Sequence, residues 1–493
     1  MNPLPRKTRR RAMLCGLALA SLALAAGCAV GPNYQRPSAV TTMPATYAGA
    51  VSGWKTATPR AHLPKGAWWE VFGDAELNRL EAEAATANQD LKAAAARFAQ
   101  ARAAADVARS GLFPRIGVGA TATRQRDSAN RPLSQTGQAA DEAYTYNNFT
   151  VPFDFSYELD LWGRVRRSVE SAQASLQSSA ADLEGVKLAI SAEIAVDYFT
   201  LRALDAEKVA LLASIQAYRK SLELTRNRRA GGIATDLDVA QAETVLRTAS
   251  AQLPGINLTR AKFEHALATL TGQPALLFRL ADRPLNGEPP IIPPELPSAL
   301  LERRPDVASA ERRMAAANAD IGVATAAFYP TVRLNGLAGL QSIDAGVLFN
   351  WPSRFWAVGP SLSLPLFEGF QRKANLRLAK AAYEETVADY RGTVLRAFLE
   401  VEDNLSAQRF LSDEHDQERA ALRSARKQLE IANNQYRGGL VSYLQVATAQ
   451  TVSLERELAV ASLRGQRFAA AVALVKSLGG GWKTADNGDG GHQ

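Results

Sequence analysis

The sequence predicts a mixed α/β membrane protein that is mainly α-helical and contains an internal duplication. Three observations support this prediction: phrases recur at a fixed separation, two very long segments have helical composition, and one segment alternates strictly between apolar and polar residues. "SGLFPRIGVGA" at 110–120 is echoed by "AAFYPTVRLNG" at 326–336. The Gly-Gly pairs that begin at Gly231 and Gly438 are 207 residues apart. One structural unit therefore occurs twice.

The N-terminus is typical of a secretory signal peptide covering residues 1–27. Basic residues precede an apolar run from Met13 to Ala26, which is too short to span a bilayer. The next residues, "LAAGC" at 24–28, are similar to a bacterial lipobox, so Cys28 is the expected site of lipid attachment. The alternative is an inert small residue beside a cleavage site. We expect an exported, palmitate-bearing lipoprotein whose residues 28–64 form an extended segment.

Composition argues against several functional classes. The net charge of +8 falls to +3 once the five basic residues of the signal are removed, which does not favour a nucleic-acid partner. No phosphate-binding glycine loop or nucleophile motif is present. The four histidines are scattered, with none at metal-ligand spacing. We therefore expect no enzyme activity, no cofactor and no metal.

The first repeat is predicted over residues 65–281. Short helices come first, and Pro114 ends the last of them. Two strands follow, and the second contains "NFTVPFDFSYELDLWGR" at 148–164, in which large apolar residues occupy every other position. The predicted elements are strands near 115–126 and 146–161 and a long helical hairpin at 163–271.

The hairpin begins with an exceptionally long helix. From Arg164 to Arg229 there is no proline, which predicts a rod on the order of 100 Å long. Apolar residues recur every seven positions, which indicates left-handed supercoiling. The Gly-Gly pair ends this helix, and Thr235 with Asp238 is placed as a capping pair that starts the returning helix.

The second repeat is predicted over residues 298–478, after a proline-rich linker at 282–297. Ser442 with Gln445 is the equivalent capping pair. We expect the tail at 479–493 to be disordered. The predicted elements are a first helix, strands near 331–341 and 355–367, and a helical hairpin at 369–478.

Four strands per chain cannot close a barrel, because about eight is the smallest number with a filled interior. An open sheet would also expose two edges. Association of identical chains solves both problems, with eight strands from a dimer or twelve from a trimer. Lipid would then meet the apolar face and water the polar face. The alternative is a soluble antiparallel sheet packed on helices.

An ordered set of motifs carries a family resemblance over roughly residues 28–478. The motifs are the two Gly-Gly tips, "CAVGPNYQRP" at 28–37, "WWEVFGDAELNRL" at 68–80, "LDLWGR" at 159–164 and "ERRPDVASAERR" at 302–313. With them the chain resembles the TolC-like outer membrane efflux proteins, specifically the OprM-like (NodT-type) lipoprotein branch. The resemblance implies a homotrimer in the cell outer membrane, with a twelve-stranded transmembrane β-barrel and a long α-helical barrel in the periplasm.

The same resemblance implies a passive exit duct of a tripartite efflux pump that expels drugs or other small toxic compounds. The resemblance implies a periplasmic adaptor (membrane fusion) protein and an inner-membrane pump of the RND type as its partners. Two alternatives stay open: the duct of a type I protein-secretion system, and a structural coiled-coil lipoprotein that conducts nothing.

The resemblance also assigns the site residues. Adaptor-docking tips fall on Gly231, Gly232, Gly438 and Gly439, where plain turn chemistry is the other explanation. A periplasmic gate, closed until the pump assembles, falls on Asp236, Asp238, Tyr436 and Thr448. Relatives commonly have aspartate where this chain has Thr448, so we expect weaker cation selectivity here. Asp238 is equally well explained as a helix cap.

Overall fold

A computed structural model describes residues 29–39, 66–129, 143–292 and 304–480. Cys28 and the signal peptide lie outside the described residues. So do most of the expected extended segment, the end of the linker and almost all of the C-terminal tail.

The strands form one antiparallel sheet in the order β1/β2, β3, β4, β5, in which β1 and β2 both pair with β3. The single strand predicted near 115–126 is therefore interrupted. Opposite the break lies Pro152 of β3, which has no N–H to donate, and only its carbonyl accepts from Gly119 N at 3.0 Å. The strands are β1 Arg115–Val118, β2 Thr121–Asp127, β3 Tyr144–Leu159, β4 Thr331–Ser342 and β5 Arg354–Ser363.

The last strand is shorter than the sequence predicts. It ends at Ser363 rather than near residue 367. Ser363 lies opposite Thr331, the first residue of β4, so residues 364–367 have no described strand to pair with.

The register sorts the side chains onto two faces. The apolar face of the sheet carries Phe149, Phe153 and Phe155 of β3 with their partners on neighbouring strands, and the polar face carries Ser156 and Glu158. On the polar face Glu158 pairs with Arg164 at 2.7 Å, and Asn335 of β4 donates to Ser361 of β5 at 2.8 Å. Both faces are thus built by simple period-two alternation.

The helices repeat with the same offset as the sequence. Both long helices have 67 residues and both returning helices have 35, and each second member starts 207 residues after the first. The internal duplication and the mainly α composition with one sheet are confirmed. The helices are α1 Ala75–Ala87, α2 Gln89–Ser110, α3 Arg164–Ala230, α4 Asp236–Leu270, α5 Pro305–Ala326, α6 Gln371–Arg437 and α7 Tyr443–Ser477.

Helix α7 alone among the described helices is long and apolar enough to cross a membrane by length and composition. Half of its apolar window is buried within the protein. Burial of this kind is typical of a core helix, so the length and composition of α7 are only weak evidence that it spans a membrane.

The chain divides into two compact units, and each draws on both repeats. The unit with the sheet comprises the described parts of Met1–Pro37, Ala99–Ser178 and Glu311–Ala388. The other comprises the described parts of Ser38–Phe98, Ser179–Ala310 and Asp389–Gln493.

In the sheet unit, the segment after the expected lipid site is fixed to the helices. The Arg167 guanidinium donates to Asn33 at 2.8 Å, and Asn318 donates to the carbonyl of Pro32 at 3.0 Å. Tyr34 donates to Glu311 at 2.6 Å. These buried or half-buried polar contacts hold residues 30–34 beside the start of α3.

In the helical unit, a buried carboxylate ties the chain after α4 to the helix pair. Asp205 on α3 accepts from Arg202 at 3.1 Å, from Arg260 of α4 at 2.6 Å and from the backbone N–H of Arg283 at 2.9 Å. Buried charge is tolerated here because each carboxylate oxygen has a cationic or backbone donor.

Aromatic residues fill the core of the same unit. Phe72 packs on Phe199 with ring centroids 4.9 Å apart, and Phe199 packs on Phe468 of α7 at 4.7 Å. Trp68 is buried, and its indole N–H donates to Ser191 at 3.0 Å. Such pairs add to the free energy of burial.

Glu81 on α1 is a buried acid without a counter-ion. It is 3% exposed and lines a pocket of about 270 Å³ beside Trp68 and Leu188. Its Oε1 has no hydrogen-bond partner in the described part of the chain. Burial raises the pKa of Glu81 to about 9, so the folded protein keeps this carboxyl protonated at neutral pH.

We predict that this proton makes stability fall as pH rises. The unfolded chain releases it near the ordinary pKa of about 4.3, whereas the folded protein holds it up to about pH 9, so the free energy of unfolding decreases across that window. Glu81→Gln cannot ionise and should give a flatter profile of melting temperature between about pH 5.5 and 9.

The matched control is Glu76→Gln on the same helix. A hydrogen bond from Arg79 lowers the pKa of Glu76, so above about pH 5 this carboxyl is ionised in both the folded and the unfolded protein. Glu76→Gln should therefore keep the wild-type dependence of melting temperature on pH. Equal slopes for wild type and Glu81→Gln would contradict the assignment.

Candidate functional site

The candidate site is formed by the two turns that join the long helices to the returning helices. Gly232 and Gly439 adopt left-handed backbone conformations, with φ of 75° and 77°. After each one, an N–H donates back into the last helical turn: Ile233 to Arg228 O at 2.8 Å and Leu440 to Gln435 O at 2.9 Å. Of the four tip glycines, these two are required by the turn.

Asp238 fills a cap in its own repeat. The Thr235 side chain accepts from Asp238 N at 3.2 Å, and the Asp238 carboxylate accepts from Thr235 N at 2.9 Å. This reciprocal arrangement is the capping box that the sequence predicts for the start of α4.

Asp238 also caps the other repeat. Its second carboxylate oxygen accepts from the backbone N–H of Tyr443, the first residue of α7, at 3.2 Å. Burial opposes ionisation, but the hydrogen bonds from Thr235 and Tyr443 outweigh it and lower the pKa of Asp238. One carboxylate thus joins the first turns of both returning helices.

The predicted capping pair of the second repeat is not formed as expected. Ser442 makes no side-chain cap bond, and its hydroxyl donates instead to the side-chain oxygen of Gln445 at 2.7 Å. The capping role passes to Asp238 because its carboxylate reaches the free N–H of Tyr443.

Tyr436 lies inside the contact between the two hairpins. It is 5% exposed, packs edge-on against Tyr443 with centroids 5.4 Å apart, and donates to Thr225 at 3.3 Å. The Arg228 guanidinium lies over its ring at 4.9 Å and also donates to the carbonyl of Arg437 at 2.9 Å. In this conformation Tyr436 is buried and contacts both hairpins.

The other two predicted gate residues are exposed. The Asp236 side chain is 81% exposed and pairs with Arg229 at 2.5 Å, also at the surface. Thr448 donates to the Leu444 carbonyl of its own helix and lines an open groove of about 730 Å³ between α6 and α7. The structure therefore places Asp238 and Tyr436 in the contact between the hairpins and Asp236 and Thr448 on the exposed surface.

Both tips also carry exposed apolar side chains, which sequence reasoning missed. Ile233 and Leu237 in the first repeat correspond to Leu440 and Leu444 in the second, at the 207-residue offset. All four are exposed. Their recurrence at equal distance from each Gly-Gly pair is the signal that could have identified them.

Comparison with known proteins gives consistent matches over most of the chain. The family model described as "Outer membrane efflux protein" matches residues 80–273 and 296–480. Outer membrane protein OprJ of Pseudomonas aeruginosa is 33% identical over 473 residues, which cover 95% of this chain and 96% of OprJ. The toluene efflux pump outer membrane protein TtgC of Pseudomonas putida is 33% identical over 470 residues, covering 94% and 96%. The solved outer membrane protein VceC of Vibrio cholerae is 32% identical with a TM-score of 0.78, and the match covers 86% of this chain and all of VceC.

We predict that Asp238→Ala loosens both returning helices at once. The loss of a capping acceptor costs about 1 kcal/mol, and the Tyr443 N–H would lose its acceptor in the same step. Amide hydrogen exchange should therefore speed up in the first turns of α4 and of α7. The control is Asp236→Ala, which removes only a surface ion pair and should change exchange little. Faster exchange in α4 alone would contradict the shared cap.

Proposed function

The chain belongs to the outer membrane efflux protein family, and we propose that three copies form one pore that serves as the passive exit duct of a tripartite pump. The family assignment confirms the resemblance seen in the sequence. The protein is an outer membrane channel component with a large periplasmic part. TtgC is named for toluene efflux, and we propose small toxic compounds or drugs as the cargo here as well.

The observation that carries the proposal is the open sheet. The outer edges of β1/β2 and of β5 have no strand partner within the described residues. The apolar face is largely uncovered in the single chain, with Trp356 76% exposed. Unpaired backbone groups are costly in lipid, so pairing β5 of one copy with β1/β2 of the next is the arrangement that satisfies them. Three copies give twelve strands around a pore lined by the polar face.

The exposed tips support docking of a periplasmic adaptor. Ile233, Leu237, Leu440 and Leu444 form equivalent apolar pairs on the two turns, and apolar surface of this kind is typical of a protein contact. We propose that the adaptor binds both tips and connects the duct to an inner-membrane pump of the RND type. The pump supplies the energy, and the duct performs no catalysis.

Lipid attachment at Cys28 is part of the same proposal. The described residues begin at Ala29, directly after Cys28. The next residue, Val30, donates its backbone N–H to the carbonyl of Trp162 at 3.0 Å, between the end of β3 and the start of α3. An acyl group on Cys28 would therefore start close to the helix side of the sheet. This position suits insertion into the inner leaflet of the outer membrane.

For the gate, we propose separate roles for the two aspartates. Asp236 is exposed and would place three carboxylates around the axis of a trimer, where they would attract cations. Asp238, with Tyr436, instead holds the two hairpins of each chain together. Opening would require these contacts to break.

We predict three chains per particle when the protein is extracted in mild detergent and weighed by native mass spectrometry. Strand pairing between copies should survive Cys28→Ala, because the anchor does not contribute to the sheet. The purified trimer should also conduct ions in a planar bilayer. A monomeric particle without conductance would contradict the shared barrel and favour a tethered rod.

We predict that ion preference follows the charge at the tips. Asp236→Asn should lower the cation-to-anion permeability ratio of the reconstituted pore, and Thr448→Asp should raise it by adding one carboxylate per chain. Thr448→Asn is the matched control, since it changes size and polarity without charge. Unchanged ion preference in both charge variants would remove these residues from the gate.

A further inference from the structure

Charge is distributed unevenly on the apolar face of the sheet. Arg124 and Arg126 of β2 pair in register with Asn147 and Thr145, which share the face of Phe149. Arg354 of β5 pairs with Leu340, whose own partner Val151 lies on that face as well. On the five described strands, these three arginines are the charged residues of the apolar face.

All three arginines lie toward the loop end of the sheet. Arg124 and Arg126 belong to the last four residues of β2, and Arg354 is the first residue of β5. At the opposite end, the strands connect directly to the helices, which places that end on the periplasmic side. The arginines therefore lie toward the exterior, on the face that meets lipid.

The cost of exposing arginine to lipid restricts its depth. It is about 2–4 kcal/mol at the bilayer midplane but about 0–1 kcal/mol near the interface. The neighbouring Thr145 and Asn147 are polar, and Arg354 stacks on Trp351 at 3.3 Å from the ring centroid. Tryptophan is enriched at membrane interfaces, so these features indicate the headgroup level of the outer leaflet.

No described residue of the chain neutralises the charge of Arg124 or Arg126. Both are exposed, and neither forms an ion pair or a side-chain hydrogen bond within the described chain. Two guanidinium groups two residues apart on one strand face are separated by roughly 7 Å along the strand. Planar guanidinium groups bind phosphate through two parallel hydrogen bonds.

We propose that Arg124 and Arg126 bind the phosphate groups of lipid A, the phosphorylated glycolipid of the outer leaflet. Pairing of β5 with the β1/β2 edge of a neighbouring copy brings Arg354 to the same side of the interface as a third contact. The site rests on the proposed barrel, in which the apolar face meets lipid, and the part played by Arg354 also requires edge-to-edge pairing of neighbouring copies.

Native mass spectrometry of the purified full-length protein in detergent tests this site. The probes are bisphosphorylated lipid A, its monophosphorylated form and phosphatidylglycerol, each added at matched concentration. We expect the bisphosphorylated form to bind wild type best. Equal binding of phosphatidylglycerol and bisphosphorylated lipid A at the same concentration would show a general anionic surface and overturn the proposal.

The test variant is Arg124→Gln with Arg126→Gln. A basic residue near an anionic surface contributes about 1 kcal/mol, so the double variant should weaken lipid A binding on the order of tenfold or more. The matched control is Arg115→Gln with Arg333→Gln, which removes two charges from the polar face of the same sheet and should leave lipid A binding unchanged.

Unchanged lipid A affinity in the test variant, or an equal loss in the control, would overturn the assignment. Arg124→Lys with Arg126→Lys keeps the charge but loses the planar fork, so it should show an intermediate loss. Particle mass should be that of wild type in every variant, and ion conductance should be that of wild type in both lipid-site variants, whose substitutions lie on the face away from the pore. This readout separates failure of the lipid site from failure of the proposed channel.

Discussion

The structure depends on the hydrogen-bonding requirement of two open sheet edges. Each chain provides an antiparallel sheet whose outer strands have no further strand partner within the described residues. Lipid offers no water to hydrogen-bond a free backbone N–H or C=O, so in the proposed barrel these edges pair with strands of neighbouring copies. The period-two alternation fits that arrangement, because it gives the sheet one apolar face for lipid and one polar face for the pore.

Because of the duplication, one chain supplies both halves of the sheet and two helical hairpins that contact each other at their tips. At these tips the two copies of the repeat are not equivalent. Asp238 corresponds at the 207-residue offset to Gln445, and Tyr443 to Asp236. The contact that joins the hairpins therefore uses a carboxylate from one copy and a helix start from the other. The donor is a backbone N–H, so only the acceptor depends on residue type, and the second copy, with Gln445 in place of Asp238, has no carboxylate with which to make the reciprocal bond.

The sequence predicts the elements well because their signals are local. Period-two alternation, absence of proline and the Gly-Gly pairs locate strands, long helices and turns without knowledge of neighbours. Prediction from the sequence fails where the local structure depends on residues from another part of the chain. The break opposite Pro152 depends on strand register, and the second cap depends on Asp238 approaching from another helix. The burial of Tyr436 likewise depends on packing between hairpins, which residue spacing alone does not reveal.

The contacts at the tips also set the free energy that a binding partner would have to supply to separate the two hairpins. Within one chain the hairpins are joined by the Asp238–Tyr443, Tyr436–Thr225 and Arg228–Arg437 hydrogen bonds. At about 1 kcal/mol each, they stabilise this arrangement of the hairpins by on the order of 3 kcal/mol per chain. Reversing a two-state equilibrium from 1:99 to 99:1 requires about 5.5 kcal/mol of differential binding. An adaptor that binds the exposed apolar pairs more tightly in the separated arrangement can supply energy of this size, since burying one leucine contributes about 2 kcal/mol. Under the proposed adaptor docking, selective binding at the tips would therefore be sufficient to separate the hairpins.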